Sequence, residues 1–349
     1  MIESLGVSIW NAGIFEVLGH PLLWFTTVSL AAPLALAATG GALSERTGIV
    51  NIGLEGLMLV GAFFSALVDE LVFQSLHWNA AWAALLAIVG GVGAAATLAA
   101  IFAAGAIQFR ANQIIAGMAL NVLALGLTSF LFASVFGLTG TSGNLPGIPN
   151  IHIAAFALGP VHFGSLSRLS WLSLGYVLFQ QNPIVYVAVA AAVVFQVVLF
   201  RTTIGLRLRS SGENPAAAEA SGVSVAPLRY LAVIASGALC GLGGCMLVLN
   251  QSPAIFTDNI TQGRGFIALA AVIIGRWTPL GAFGACLIFA FGEALSQDIG
   301  QPSIGSFQLT SYLLGMLPYL IAVTCAVGLS SRSRSPAAAG HAAGRDDLV

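Results

Sequence analysis

The sequence contains no lysine; all twelve of its basic residues are arginine. That absence removes two kinds of chemistry. A phosphate-binding P-loop ends in Gly-Lys-Ser/Thr, with the lysine reaching the outer phosphates, so the chain carries no Walker-type ATP site. Schiff-base chemistry at a lysine is excluded as well. No cofactor is expected here, and if ATP drives this protein, ATP and magnesium are bound by another chain.

Charge of either sign is scarce. Charged residues make up 7% and hydrophobic residues 58% of 349, whereas a soluble domain is about 25% charged. The composition is that of a membrane protein. The net charge of −1 gives no reason to expect a nucleic-acid partner. Cys240, Cys245, Cys286 and Cys325 lie inside apolar runs without metal-ligand spacing, and are expected to pack as small residues. His20, His77, His152, His162 and His341 are scattered over ends and loops, and no H-E-x-x-H occurs. No metal site, no catalytic constellation and no enzyme activity are expected.

What the chain does have is apolar runs long enough to cross about 30 Å of hydrocarbon, which takes roughly 20 residues. They lie near 22–43, 49–68, 80–107, 112–137, 183–200, 226–249, 279–297 and 308–329. The run 263–275 is shorter, and crosses only if extended backwards or if it enters as part of a broken helix. Counting it, the fold expected is an all-α polytopic membrane protein of about nine transmembrane helices. If 201–229 faces the cytoplasm, alternation puts Arg46, Arg110, Arg276, Arg332 and Arg334 on that side. Only Arg168 and Arg264 then fall outside, a bias that fits the positive-inside rule.

Residues 1–20 hold Glu3 and Glu16 but no arginine, so they lack a signal peptide's basic n-region. An interfacial or partly inserted helix is expected there. Residues 138–182 fall outside and serve either as a surface for an external partner or as a connection. The small, polar tail 330–349 is expected to be disordered and cytoplasmic. Glu45 and Arg46, at a membrane boundary, form either a local ion pair or a contact with lipid head groups.

The densest polar stretch is GLRLRSSGENPAAAEASGVSVAPLRY at 205–230. Asn214 is a good N-cap and Pro215 suits the first helical position. Ala216, Ala217, Ala218, Glu219 and Ala220 favour helix, and Gly222 can end it in a left-handed conformation. The prediction is a helix of about two turns, marginal in water by itself. Its smooth alanine face suits a groove on another protein; an ordinary capped helix in a loop is the alternative.

The pattern G-x-N-x-x-A-A-x-x-x-G formed by Gly212, Asn214, Ala217, Ala218 and Gly222 resembles the coupling loop of ABC-importer permeases. LSERTGIVNIGLEGLMLVGAFFSA (43–66) and FTDNITQGRGFIALAAVIIGRWTPLGAFGA (256–285) resemble the nucleoside-importer permeases of the branched-chain-amino-acid and ribose permease superfamily. The resemblance covers about 22–137 and 183–329. It implies a permease domain over 21–329 of type II importer architecture, with an inverted repeat, in a bacterial inner or plasma membrane. It also implies that 201–226 is a cytoplasmic coupling loop whose Gly212, Glu213, Asn214, Pro215, Ala217, Ala218 and Gly222 meet an ATPase. The partners it implies are ABC ATPase subunits, a second related permease and an extracytoplasmic substrate-binding lipoprotein, besides membrane lipids.

Polar residues inside a span need a reason. Asn51 and Glu55 stand four apart on one helical face; Asn121, Asn250 and Glu293 lie in or at the ends of other spans. Either they form a strip facing a substrate pathway, or they bond neighbouring helices and unwound backbone. Gly48, Gly53 and Gly56 in one half, and Gly263 and Gly265 in the other, precede apolar runs, as in discontinuous transporter helices; glycine also permits close helix packing. Phe266 and Trp277 could stack on a base or sit at the membrane interface. The cargo expected is a nucleoside, with a monosaccharide or another small polar metabolite as the alternative, and an ion-coupled secondary transporter as a further one.

Overall fold

The structure, a computed structural model, describes residues 21–75, 79–137, 141, 142, 145, 148, 177, 181–250, 254–298, 316, 320, 324 and 335–340. Among them, seven helices are long and apolar enough to cross a membrane. In chain order the helices are α1 (Pro21–Glu45), α2 (Leu54–Glu70) and α3 (Ala80–Ala103). They continue with α4 (Gln113–Phe136), α5 (Pro183–Arg201), α6 (Thr203–Glu213) and α7 (Pro215–Ala220). The series ends with α8 (Val225–Leu249), α9 (Arg264–Ile274) and α10 (Pro279–Asp298). The apolar run at 308–329 and residues 1–20 fall almost entirely outside the described residues.

Helix starts follow local chemistry. Asn79, Asn112 and Asn182 each accept a backbone N–H of the first turn they open, capping α3, α4 and α5. α2 and α3 finish in a wider turn, Leu71–Ser75 and Ala104–Gln108.

The core is built from α1, α2, α3, α8 and α10, with α4 leaning on α2 and α5 on α1. Water exclusion is no driving force between helices in lipid, so close approach at small residues has to supply the packing. α8 meets that need: a Cβ on Gly61 of α2 would lie 2.5 Å from Gly241 Cα, and one on Gly244 would lie 2.0 Å from Met58 O. Cys240, Cys245 and Cys286 are buried and unbridged in this packing; Cys325 lies outside the described residues.

Four of the arginines gather at one end of the bundle. Arg229 in α8 donates to Thr47 O and to Ser211 O of α6. Arg46 donates to the carbonyls of Arg276 and Trp277, and Arg46 and Arg209 lie 5.5 and 5.1 Å over the Phe200 ring. Toward the opposite end, Thr141 and Leu145 pair with Thr257 and Ala254, Ile148 N–H donates to Leu249 O, and Ser129 donates to Asp258 at 2.7 Å. Part of the stretch 138–182 is thus paired with the segment that follows α8.

Inside the 201–226 segment, residues 203–213 form a helix, with Thr202 accepting the N–H of Gly205 as its N-cap. One expectation is corrected. Within the tail expected to be disordered, residues 335–340 form a turn bonded to Gly48, Gly212 and Glu213. The bonding groups there are mostly backbone, which composition does not reveal.

Candidate functional site

The connection between α1 and α2, residues 46–53, is unwound, and the side-chain amides of α4 satisfy its backbone. Val50 N–H donates to Gln113 Oε1 at 2.7 Å. Asn121 donates to Ile52 O at 3.0 Å and accepts Gly56 N–H at 2.8 Å. Asn51 accepts the N–H of Gly53 and donates to Ser236 Oγ of α8. Buried backbone without a ladder needs such partners.

Residues at the two ends of this connection grip the short helix α9 at both of its ends. At the start of α9, the Glu55 carboxylate accepts Thr261 Oγ1–H at 2.6 Å, Gly263 N–H at 2.7 Å and Gly265 N–H at 2.6 Å. A carboxylate at a helix N-terminus satisfies orphan donors and complements the helix dipole. The chain winds around it by visiting left-handed backbone at Asn259, Gln262 and Gly263, with φ of 53°, 45° and 87°. At the far end of α9, Arg276 and Trp277 are also left-handed, at φ 57° and 52°. Non-glycine residues hold that conformation only when their surroundings enforce it. Here Arg46 takes both of their carbonyls, at 3.0 and 2.7 Å, while the Trp277 indole N–H donates to Glu45.

The expected ion pair or lipid contact of Glu45 and Arg46 is therefore replaced by bonds to the turn after α9. Burial lowers the Arg46 pKa below the ordinary arginine value, opposed by the nearby Glu213 and reinforced by Arg209. Trp277 is buried within the chain.

The remaining polar residues divide. Glu293 of α10 pairs with Arg264 at 2.6 Å, beside the Glu55 knot. Asn250 stands apart and donates to Ser29 Oγ at 3.1 Å. Phe266 is 49% exposed on α9. Sequence reasoning missed Gln113, Thr261, Glu45 and Arg229 as partners in this network; an arginine inside the start of an apolar run was the readable signal for Arg229.

Residues 214–222 fold as their sequence predicts. Asn214 accepts Ala217 N–H at 3.0 Å and Pro215 opens α7. Gly222, at φ 82°, ends it: Gly222 N–H bonds Glu219 O and Val223 N–H bonds Ala218 O, the paired bonds of a Schellman cap. Ala216, Ala217, Glu219 and Ala220 are exposed, whereas Ala218 packs inward. Gly212 is buried, and a Cβ there would lie 2.2 Å from Arg46 O.

The architecture is that of a polytopic membrane protein, and comparison with known proteins specifies the family. The family described as branched-chain amino acid transport system / permease component matches residues 23–324, and the chain belongs to it. It is 38% identical to the guanosine ABC transporter permease protein NupQ of Bacillus subtilis, over 90% of this chain and 93% of that one. It is 33% identical to the nucleoside ABC transporter permease protein NupC of Lactococcus lactis, over 88% and 92% of the two chains. A further relative in Bacillus subtilis, the guanosine ABC transporter permease protein NupP, is 27% identical over 80% of this chain and 74% of its own. No solved structure matches.

Proposed function

We propose that this chain is the membrane-spanning subunit of an ABC importer for nucleosides, moved by an ATPase that docks on α7. The observation that carries the reading is a continuous mechanical path from α7 to Glu55. α7 projects four exposed residues; Ser211, in the last turn of α6 just before it, is tied through Arg229 to Thr47; and Thr47 lies in the unwound stretch 46–53 that leads into α2 and Glu55. Force on α7 thus reaches the α1–α2 connection and, with it, both ends of α9. Such bonded segments with two arrangements can pass a docking event on to a gate.

The substrate proposed is a nucleoside because the relatives most fully covered carry that substrate in their names. Its path runs beside the unwound segments 46–53 and 259–263. Asn51, Glu55 and Asn121 hold those segments in shape, Arg264–Glu293 braces them, and Phe266 offers an exposed ring for a base to stack on. The gathering of Arg46, Arg209, Arg229 and Arg276 at the α7 end supports a cytoplasmic placement of that end. With the run at 308–329 and α9 counted, about nine crossings in two inverted halves remain the proposed architecture. Bacillus subtilis has two relatives of this chain under the guanosine name, which favours a second, related permease completing the pore. An external binding lipoprotein would deliver the substrate.

The test is uptake of labelled nucleoside by the assembled transporter carrying Ala217→Trp. Uptake is expected to collapse while the protein reaches the membrane at the normal level. Unchanged uptake would remove α7 as the coupling element.

A further inference from the structure

The turn 335–340 lies beyond the residues the family model matches, yet it is bonded to both parts of the path just described. Ala338 N–H donates to Gly212 O at 2.9 Å, two residues before the N-cap of α7. Gly340 N–H donates to Gly48 O at 3.3 Å, at the start of the unwound stretch. Ala337 N–H reaches the Glu213 carboxylate at 3.4 Å. Pro336 is buried, and Ala339 N–H closes the turn on Pro336 O at 3.0 Å.

The fit depends on missing side chains. A Cβ on Gly48 would stand 3.0 Å from the Arg229 guanidinium, 3.3 Å from Ala338 O and 3.4 Å from Gly212 Cα, so three backbone segments and the Arg229 head meet where only a glycine leaves them room. Gly340 is left-handed at φ 79°, a conformation that glycine adopts without cost.

We propose that residues 335–340 are a clasp, supplied by the chain's own C-terminal segment, that joins the base of α7 to the start of the 46–53 stretch. Arg229 makes the same junction from within the membrane bundle; the clasp makes it from the outside of α6 and α7. With both in place, the base of α7 and the 46–53 stretch move as one body. Without the clasp, α7 can follow its docked partner while the stretch leading to Glu55 lags. The clasp rests on the coupling reading of α7, and the experiment separates the two.

Two variants of the assembled transporter are compared with the unaltered one: a chain ending at Arg334, and Ala338→Pro, which removes the N–H that Gly212 O accepts and restrains the backbone at residues 337–338. Membrane level, co-purifying ATPase, ATP hydrolysis and nucleoside imported per ATP are read. Loss of these modest backbone bonds is expected to cut import per ATP by about tenfold, with ATPase retention and hydrolysis unchanged. Import per ATP that stays the same, or that rises as from release of a brake, overturns the clasp. Independently of any motor, Glu213→Cys paired with Ala337→Cys is expected to cross-link on mild oxidation of membranes holding this subunit alone. No cross-link there would overturn the clasp itself; loss of ATPase co-purification from the unaltered subunit would instead overturn the coupling reading.

Discussion

Gly265 rests directly on Glu55. Its N–H donates to the carboxylate at 2.6 Å, and a Cβ at Gly265 would lie 2.4 Å from both the N and Cα of Glu55. Gly265→Ala therefore forces α9 away from α2. Overpacking of this kind costs about 1–3 kcal/mol, and a lower unfolding temperature of the solubilised protein is the expected result. Glu55→Gln keeps the shape but turns a group that only accepts into one that also donates, against three donors. It should cost about 1–3 kcal/mol, read in the same assay.

The limits of the sequence are plain at this contact. Glu55 and Gly265 are 210 residues apart, and nothing in the local pattern around either names the other. The caps of α7 were legible because Asn214, Pro215 and Gly222 act within a few residues of themselves. The spans were legible because an apolar run of sufficient length has few fates in a membrane protein. The grip on α9 by Glu45, Arg46 and Glu55 was not, since most of its partners are backbone N–H and C=O groups, which every residue carries. For the same reason Asn51, Glu55 and Asn121 stood out in the sequence as polar residues in or beside apolar runs, while the bonds they make did not.

The pair Trp277 and Glu45 holds the left-handed turn after α9. Trp277→Phe leaves a buried carboxylate without its indole donor, and is expected to destabilise by about 1–3 kcal/mol. Adding Glu45→Gln should recover part of that loss. A double-mutant cycle by thermal unfolding is expected to give a coupling of roughly 0.5–3 kcal/mol, and independent, additive effects would break the pairing.

Arg229 bonds Thr47 and Ser211 at 3.0 and 3.1 Å. Arg229→Met preserves much of the packing stem and deletes both bonds. Nucleoside uptake by the assembled transporter should fall by about tenfold or more while ATPase subunits still co-purify. Uptake at the unaltered rate would show that the tie carries no force.

Asn214→Ala removes the cap of a helix with only one and a half turns or so. A lost N-cap costs about 1 kcal/mol, and so short a helix has little else to hold it. The expected outcome is an ATPase affinity lowered by roughly fivefold, measured by titrating the ATPase onto the reconstituted permease. Asn214→Ser should keep most of it, since the serine hydroxyl can accept the same N–H.

The most direct test of a gate driven from outside is reconstitution. Proteoliposomes holding the purified permease pair are loaded with or without ATPase and ATP, and accumulation of labelled nucleoside from the binding protein is followed. Uphill accumulation is expected only when ATPase and ATP are both present, and not with Ala217→Trp. Accumulation by the permease alone on a proton or sodium gradient would contradict the account.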